Sequence, residues 1–331
     1  MSQSRILHHP LPPVNRPEDQ YGQAMTMHES HPFPTGAQHE LRHGDYSATV
    51  TEVGATLRSL THAGRPLIRG FAADQLMPLH RGAVLAPWPN RVADGKYSHD
   101  GNDYQLPLTE PARHHAIHGL ACFLGWEPVS ASASTVSLTT RIWPQLGYPF
   151  RLDLVAGYSL DDSGLHWSLR AVNSGDRTAP YGCSIHPYLV ADPDTPLDQW
   201  TLNLAAESYL SVDNRLLPTG LVPVDGTEFD FRAPAVLGAR KLDQALTGFG
   251  TGHEAATLTA PSGRGVRMSW DASQCGWAQV FTCDRPDPET NRSGLAIEPM
   301  TCPTNAFNSG TDLIHLAPGE SHHTSWHLAA I

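Results

Sequence analysis

The chain has 331 residues, a formal net charge of −11 and 40% hydrophobic residues. This length is ample for a sizeable buried core, and the acidic balance argues against nucleic acid or an anionic membrane as a partner. No apolar run approaches the roughly 18 residues of a membrane span, and positions 1–20 lack the apolar region of a signal peptide. The cysteines form no CxxC pair, so we expect reduced thiols, a cytoplasmic location and no structural zinc site. They are Cys122, Cys183, Cys275, Cys283 and Cys302.

The first 37 residues differ in composition from the rest of the chain. They are rich in Pro, His and polar residues and show no hydrophobic period. This composition predicts a loosely ordered N-terminal extension over 1–37. Residues 38–331 show no internal repeat and no further break in composition, which predicts one domain. We expect the protein to be a monomer or homodimer.

Hydrophobic residues in the body of the chain alternate with a period of two. Examples are "RLDLVAGYSL" (151–160) and "LHWSLRAV" (165–172), in which every second residue is apolar. Such runs are typical of half-buried strands. Turn signals such as "DDSG", "NSGD" and "PSGRG" separate them. Almost no window shows a helical stripe, so the sequence predicts a large antiparallel all-β sandwich or barrel.

Two stretches in the first half of the body carry residues suited to a binding site. In "APWPNRVADGKY", prolines flank Trp88 and Arg91 follows in a turn-prone setting. In "HHAIHGL", His114, His115 and His118 suggest a metal-dependent β-barrel enzyme as one alternative. Their spacing is not that of a zinc motif and no nearby carboxylate completes a ligand set, so we expect no metal.

Two further stretches each place an ionisable residue before a proline in an apolar run. They are "YGCSIHPYLV", with His186, and "LAIEPMTCPTNAFNSG", with Glu298. The proline favours an extended backbone at the residue before it. Either side chain can be a satisfied core residue, but an imidazole and a carboxylate together suit general acid/base catalysis. The GxSxG, GxGxxG and GK[ST] motifs are all missing, so no cofactor is expected.

Several motifs occur in an order that extends over about residues 38–331. They are "VTEVGATLRSL", "PNRVADGKYSHDGNDYQL", "AIHGL", "LGYPFRLDLVAGYSL", "HPYL", "KLDQALTG" and "IEPMTCPTNAFN". With them the chain resembles the aldose 1-epimerase (galactose mutarotase) family. The resemblance implies a β-supersandwich, a large antiparallel all-β domain with the sugar on an open face, and an enzyme without a metal or redox cofactor. The "PWPNR" and "HGL" forms resemble a bacterial subgroup.

The resemblance also implies roles for individual residues. Glu298 is the general base that takes the proton of the anomeric hydroxyl, and His186 is the general acid that protonates the ring oxygen. The C1–O5 bond then breaks, the open-chain aldehyde rotates about C1–C2, and the ring closes on the other face. His118 is similar to the family's second active-site histidine. Arg91 and Asp243 are similar to residues that bind sugar hydroxyls.

Aromatic side chains near the motifs are candidates for stacking on the sugar, although most aromatics in a sheet protein belong to the core. We expect one or two of the following to contact it: Trp88, Tyr188, Trp277 and Phe307.

Two alternative functions use the same scaffold. One is a sugar-binding protein without catalysis, which the presence of both Glu298 and His186 disfavours. The other is a mutarotase for a phosphorylated or sulfonated sugar, which needs a cationic clamp. Ala121 stands where we expect a basic residue in phosphate-handling relatives, and Arg81, Arg113 and Arg141 are the remaining candidate clamps.

Overall fold

The computed structural model describes residues 33–331, and β-strands make up nearly all of its regular structure. In chain order the strands are β1 Gln38–His43, β2 Tyr46–Thr51, β3 Leu57–His62, β4 Arg65–Pro66, β5 Val84–Leu85, β6 Arg91–Ala93, β7 Lys96–His99, β8 Asn102–Gln105, β9 His115–Ile117, β10 Glu127–Ala131, β11 Thr135–Ile142, β12 Leu152–Asp161, β13 Gly164–Asn173, β14 Ala179–Tyr181, β15 Ser184–Ile185, β16 Tyr188–Leu189, β17 Thr201–Asn203, β18 Ser208–Val212, β19 Pro218–Pro223, β20 Ala235–Val236, β21 Asp243–Thr247, β22 His253–Thr259, β23 Gly265–Asp271, β24 Trp277–Phe281, β25 Leu295–Met300, β26 Ile314–Leu316 and β27 Ser321–Ala330. The helical elements of the described part are α1 Ala306–Ser309 and the 3-10 turns Pro78–His80, Pro111–Arg113, Ala121–Phe123 and Leu197–Gln199.

Two large sheets dominate the architecture. One has nine strands in the order β10-β11-β12-β13-β27-β23-β22-β17-β20, and the other has six in the order β16-β25-β24-β21-β18-β19. Strands β1 to β4 form a four-stranded sheet beside them. Neighbouring strands pair antiparallel in all three sheets. The prediction of a large antiparallel all-β domain is confirmed.

The alternation in the sequence becomes the inner face of the nine-stranded sheet. In β13, Leu165, Trp167 and Leu169 are fully buried, whereas His166 and Arg170 on the opposite face are exposed. The apolar residues of β12 are buried in the same way because β12 and β13 form a hairpin in register. The "DDSG" turn predicted from sequence closes this hairpin, with Asp161 opposite Gly164. The alternating face thus supplies much of the main hydrophobic core.

Part of the predicted N-terminal extension contacts the body. Residues 1–32 lie outside the described residues. Among residues 33–37, Thr35 is buried and its carbonyl oxygen accepts the N–H of Val53 at 3.0 Å. The Ala37 N–H donates to Glu52 Oε2 at 2.9 Å. These bonds attach the segment just before β1 to the loop between β2 and β3.

Strand β25 is the element that positions the site. All six of its residues are buried, because β16 and β24 flank it in the sheet and both of its faces are covered. A strand buried on both faces is usually apolar throughout, and β25 reads Leu-Ala-Ile-Glu-Pro-Met. The carboxylate of Glu298 is the exception to that pattern.

Candidate active site

A cleft of about 650 Å³ opens against one face of the six-stranded sheet. Opposite residues of an antiparallel pair project to the same side, as do alternate residues of one strand. In this sheet Glu298 is opposite Gln279, and Phe281 is opposite Asp243. These four side chains therefore form one row of the cleft wall. His118 and His186, which lie between strands, and Arg91 at the start of β6 belong to the rest of the wall.

His186 and Glu298 meet in this cleft. The Nε2 atom of His186 lies 3.4 Å from Oε1 of Glu298. The residues are only 4% and 2% exposed. The other polar atom of each side chain, Nδ1 of His186 and Oε2 of Glu298, has no hydrogen-bond partner within the described residues. The pair therefore has unused proton donor and acceptor capacity, and both residues line the cleft.

Burial moves the pKa values of the two groups in opposite directions. It raises the pKa of Glu298 well above its ordinary value, and the negative charge of Asp243 adds to this effect, while Arg91 opposes it. It lowers the pKa of His186 to about 3, with a smaller contribution from His80. Both shifts favour the uncharged forms, because desolvation penalises charge. The carboxylate of Glu298, once formed, is therefore a stronger base than an exposed carboxylate.

His118 completes a cluster of imidazoles beside this pair. Its ring centroid lies 5.2 Å from that of His186 and 4.7 Å from that of His80. The backbone of His118 is left-handed, with φ 63°, and its N–H donates to the Asn90 carbonyl oxygen at 3.0 Å. Burial lowers the pKa of His118 well below its ordinary value and that of His80 to about 4. These rings are consequently neutral at physiological pH.

Arg91 is fixed by carboxylates on both sides. Its Nε and Nη2 donate to Glu110 at 2.8 and 3.2 Å, and its Nη2 lies 3.9 Å from Asp243 Oδ2. Asp243 Oδ1 accepts a hydrogen bond from Gln279 Nε2 at 2.7 Å. Burial raises the pKa of Asp243, with Arg91 and the Gln279 bond opposing. The predicted hydroxyl-binding residues thus lie together as a rigid polar network beside Glu298.

Three of the four candidate aromatic residues for sugar stacking do not line the cleft, and this corrects the list of candidates from sequence. Trp88 and Phe307 are 2% and 4% exposed and pack against each other in the core, with ring centroids 5.6 Å apart. Trp277 packs against Met300 and donates its indole N–H to Asp312 at 2.7 Å. Proximity to a motif placed them near the site in sequence, but their side chains fill the core.

Tyr188 does line the cleft, as expected. Its ring lies parallel to that of His186, with the centroids 5.0 Å apart and 9° between the planes. Its hydroxyl donates to the Leu79 carbonyl oxygen at 3.2 Å. Tyr188 therefore supports the imidazole of His186 as well as forming part of the wall.

The histidine set suggested as a metal site is not assembled. His114 is exposed, and the Nε2 of buried His115 lies 3.0 Å from the Arg215 carbonyl oxygen. Within residues 33–331, the His/Cys/Asp/Glu group close enough to hold a metal ion consists instead of His118, His186 and Glu298, whose ligand atoms lie within 4.8 Å of one another. These are the same side chains that the sequence assigned to proton transfer.

Sequence reasoning missed several residues of the cleft. Gln279 is the lone polar residue in the buried strand "WAQVF", which is the same signal that identified Glu298. His80 ends the 3-10 turn Pro78–His80 and Glu110 directly precedes the 3-10 turn Pro111–Arg113, and nothing in the local pattern marks either residue. Lys241 and Arg285 also line the cleft and follow no motif.

The model of the family described as aldose 1-epimerase matches residues 37–328. The chain belongs to the aldose 1-epimerase family. It is therefore a mutarotase-type isomerase of a family that needs no cofactor, with a place in carbohydrate metabolism.

Relatives of known sequence support this membership. The chain is 38% identical to the Escherichia coli uncharacterized protein YihR over 291 residues, which cover 87% of this chain and 91% of that protein. It is 31% identical to rat galactose mutarotase over 228 residues, which cover 63% of this chain and 64% of the rat protein. The similarity to the mammalian enzyme thus covers less than two thirds of either chain.

Solved structures share the fold. The GalM/aldose epimerase homologue of C. elegans superposes with a TM-score of 0.80 at 20% identity, covering 89% of this chain and 98% of that one. The galactose 1-epimerase of Lactobacillus acidophilus gives a TM-score of 0.73 at 22% identity, covering 87% of this chain and 91% of that one. The galactose mutarotase-like architecture is therefore confirmed. No helix within residues 33–331 has the length and apolar character needed to cross a bilayer.

Proposed function

We propose that this protein interconverts the α and β anomers of an aldohexose, with Glu298 as general base and His186 as general acid. The observation that supports the proposal most directly is the contact of these two buried side chains at 3.4 Å in a solvent-accessible cleft. A structural ion pair needs neither an adjacent open cavity nor unpartnered polar atoms. Here each member lines the cleft and has a polar atom without a partner among the described residues.

The reaction needs one proton shared between the pair. In ring opening, Glu298 accepts the proton of the C1 hydroxyl while His186 donates a proton to O5, and the C1–O5 bond breaks. The products are the open-chain aldehyde, a protonated Glu298 and a neutral His186. The burial shifts favour this uncharged state of the pair. After rotation about C1–C2, His186 removes the proton from the O5 hydroxyl and Glu298 returns one to O1, which closes the ring.

The surrounding residues have supporting roles in this proposal. His118 lies beside His186 and, as a neutral imidazole, helps to place the ring oxygen. Arg91, Asp243 and Gln279 offer donors and acceptors in fixed positions to the sugar hydroxyls. The substrate-binding role of Asp243 rests on this network and on the motif in which it lies.

Polarimetry on freshly dissolved α-D-glucose and α-D-galactose tests the proposal. We expect the wild type to accelerate mutarotation, and Glu298→Gln and His186→Ala each to reduce the rate about 100-fold or more, which is the usual contribution of a general acid or base. His118→Asn and Arg91→Ala should change the rate less and the binding more.

Matched controls are available on the outer surface. Glu127→Gln and His323→Ala change the same residue types at exposed positions and should keep the full rate. If Glu298→Gln or His186→Ala kept the full rate with the fold intact, its assigned role would be wrong. If the wild type accelerated neither sugar, the protein would be a non-catalytic binder or a mutarotase for another sugar.

One observation favours a negatively charged sugar as a second candidate substrate. Lys241 and Arg285 line the cleft, and neither forms an ion pair within the described residues. Arg285 lies over the Phe281 ring, 5.7 Å from its centroid. Two unpaired cations suit a phosphate or sulfonate group. This candidate predicts that glucose 6-phosphate is turned over faster than glucose, and that Arg285→Met removes the difference.

A further inference from the structure

A second cavity lies close to the catalytic cleft and shares no lining residue with it. Its volume is about 530 Å³, and its wall includes Arg69, Arg81, Gln75 and Glu289. The segment around the 3-10 turn Pro78–His80 contributes to both spaces, because Leu79 and His80 face the cleft while Pro78 and Arg81 face the cavity. Arg81, a candidate clamp for an anionic sugar from the sequence, thus lines this cavity and not the cleft.

Arg81 is the unusual feature of this cavity. It is only 5% exposed, yet it forms no ion pair with a carboxylate within the described residues. Its Nη2 donates to Ser293 Oγ at 3.2 Å, while its Nε has no partner there. A buried, unpaired cation is costly unless an anion compensates it. Burial accordingly lowers the pKa of Arg81 and the positive charge of Arg69 lowers it further, while Tyr188, Cys283 and the charge of Asp287 oppose this shift.

The other groups of the cavity complement an anion. Arg69 is exposed and likewise forms no ion pair within residues 33–331. Gln75 accepts the Ala72 N–H through Oε1 at 3.2 Å, which leaves its amide N–H groups for another acceptor. The one carboxylate of the wall, Glu289, is exposed and pairs with neither arginine. Guanidinium groups bind tetrahedral oxyanions through charge-assisted hydrogen bonds.

We propose that the cavity between Arg69 and Arg81 binds a tetrahedral oxyanion, either a free phosphate or sulfate ion or the phosphate group of a larger ligand. Both sources present the same tetrahedral oxyanion to the two arginines, and a competition experiment distinguishes them. The site is distinct from the cleft cations Lys241 and Arg285, which line the other cavity.

The position of Arg81 connects this site to the catalytic imidazole. Its guanidinium carbon lies 5.6 Å from the centroid of the Tyr188 ring, whose plane is parallel to that of His186. The next residues of the chain bond directly to the backbone of His186: the Gly82 N–H donates to its carbonyl oxygen at 2.9 Å, and its own N–H donates to the Ala83 carbonyl oxygen at 3.0 Å. An anion on Arg81 therefore acts on the residues that hold His186.

Calorimetric titration with sodium sulfate, at an ionic strength balanced with sodium chloride, tests the site without any assay of activity. We expect saturable binding of one sulfate per chain. Arg69→Met should weaken it about tenfold or more, since each charged hydrogen bond contributes that much. Arg170→Met removes an exposed arginine from β13, far from the cavity in the nine-stranded sheet, and should bind as the wild type does.

Two results would overturn the proposal. They are no saturable binding by the wild type, and equal affinities for Arg69→Met and Arg170→Met. Arg69 is the primary test because its side chain is exposed and its loss leaves the core intact. Arg81→Met, where it folds, should weaken sulfate binding at least as much.

A competition arm identifies the source of the oxyanion. Displacement of sulfate by glucose 6-phosphate but not by glucose shows that the site accepts a phosphate group on a larger ligand, whereas no displacement by either shows a site for the free ion. The connection to His186 rests on the proposed function. It predicts that sulfate changes the mutarotation rate of the wild type, and that half of this change occurs at the midpoint of the binding curve. Sulfate binding without a change in rate would refute the connection to His186 but not the binding site.

Discussion

Glu298 is a carboxyl group in a setting that resists its ionisation. It is buried, one of its oxygens has no partner among residues 33–331, and the charge of Asp243 opposes its own. The proposed mechanism needs one proton on the Glu298–His186 pair, so these features determine the pH above which the pair loses that proton and stops working. They also give the carboxylate greater basicity once it forms.

The alkaline limb of the pH profile follows from this setting. Because the raised pKa of Glu298 keeps the shared proton on the pair, kcat/KM should fall as the pH rises through a value above the ordinary carboxyl range. Asp243→Asn removes the charge that contributes to the shift, so its alkaline limb should move to lower pH. Mutarotation rates measured from pH 5 to 10 test both statements. A rate that rises with pH over this range, or an Asp243→Asn limb at the wild-type position, would contradict them.

The same shift predicts how stability depends on pH. A carboxyl whose pKa is higher in the folded than in the unfolded state stabilises the fold below the unfolded pKa, and this contribution is lost as the pH rises through the folded pKa. Glu298→Gln has no such loss, so its melting temperature should exceed that of the wild type by a margin that grows from pH 5 to pH 8. Thermal denaturation of the two proteins provides the measurement. A margin that shrinks with pH would show that Glu298 is stabilised as a carboxylate.

At the scale of elements, a left-handed turn between β9 and the 3-10 turn Ala121–Phe123 holds His118 in place. His118 and Gly119 both have positive φ, 63° and 73°. A Cβ on Gly119 would lie 2.1 Å from the Ala86 carbonyl oxygen, so the backbone of the "PWPNR" segment packs directly on this glycine. Two motifs that are separate in the sequence are therefore one packing unit.

Gly119→Ala should disturb this unit strongly. Gly101 has the same φ of 73°, and a Cβ added there would have no atom within 4 Å, so Gly101→Ala isolates the left-handed cost of about 1–2 kcal/mol. Gly119→Ala should lower the free energy of unfolding by about 1–3 kcal/mol more, from the added contact. It should also reduce the mutarotation rate about tenfold or more by moving His118. Urea denaturation and polarimetry compare the variants, and equal losses would mean that the contact relaxes freely.

At the scale of the whole molecule, the site gathers residues that are far apart in the chain. Its described wall runs from Leu79 to Glu298, and the two large sheets and their loops bring these positions together. Residues 33–37, the described part of the N-terminal segment, contribute nothing to that wall. They attach to the loop between β2 and β3 through Thr35 and Ala37.

Truncation separates the two parts of the N-terminal segment. Deletion of residues 1–32 should leave the mutarotation rate unchanged. Deletion of residues 1–37 should also leave the rate unchanged but should lower the free energy of unfolding by about 1–3 kcal/mol, because it removes the hydrogen bonds of Thr35 and Ala37. Polarimetry and denaturation of the two truncated proteins test this. A loss of rate on removing residues 1–32 would show that the segment takes part in function.

Local pattern was enough to predict the strands and the pair of proton-transfer candidates. The period of two in β12 and β13 survives in the structure because one face of the sheet covers the core. Glu298 and His186 were conspicuous because an ionisable group in an apolar strand must have a reason to be there. Gln279 is likewise a polar residue in an apolar strand, β24. Its amide does not act as a general acid or base, so it was not among the residues predicted from the sequence.

The sequence by itself determined the all-β class, the family and the residue types available for acid/base chemistry, because these follow from periodicity, motif order and side-chain chemistry. Only the tertiary structure decided which residues meet. It placed Trp88 and Trp277 in the core and brought His80 beside His186. It also left the buried Arg81 without a carboxylate partner among the described residues. The reason is physical: contacts across a sandwich depend on strand register and sheet packing, which no local stretch of sequence specifies.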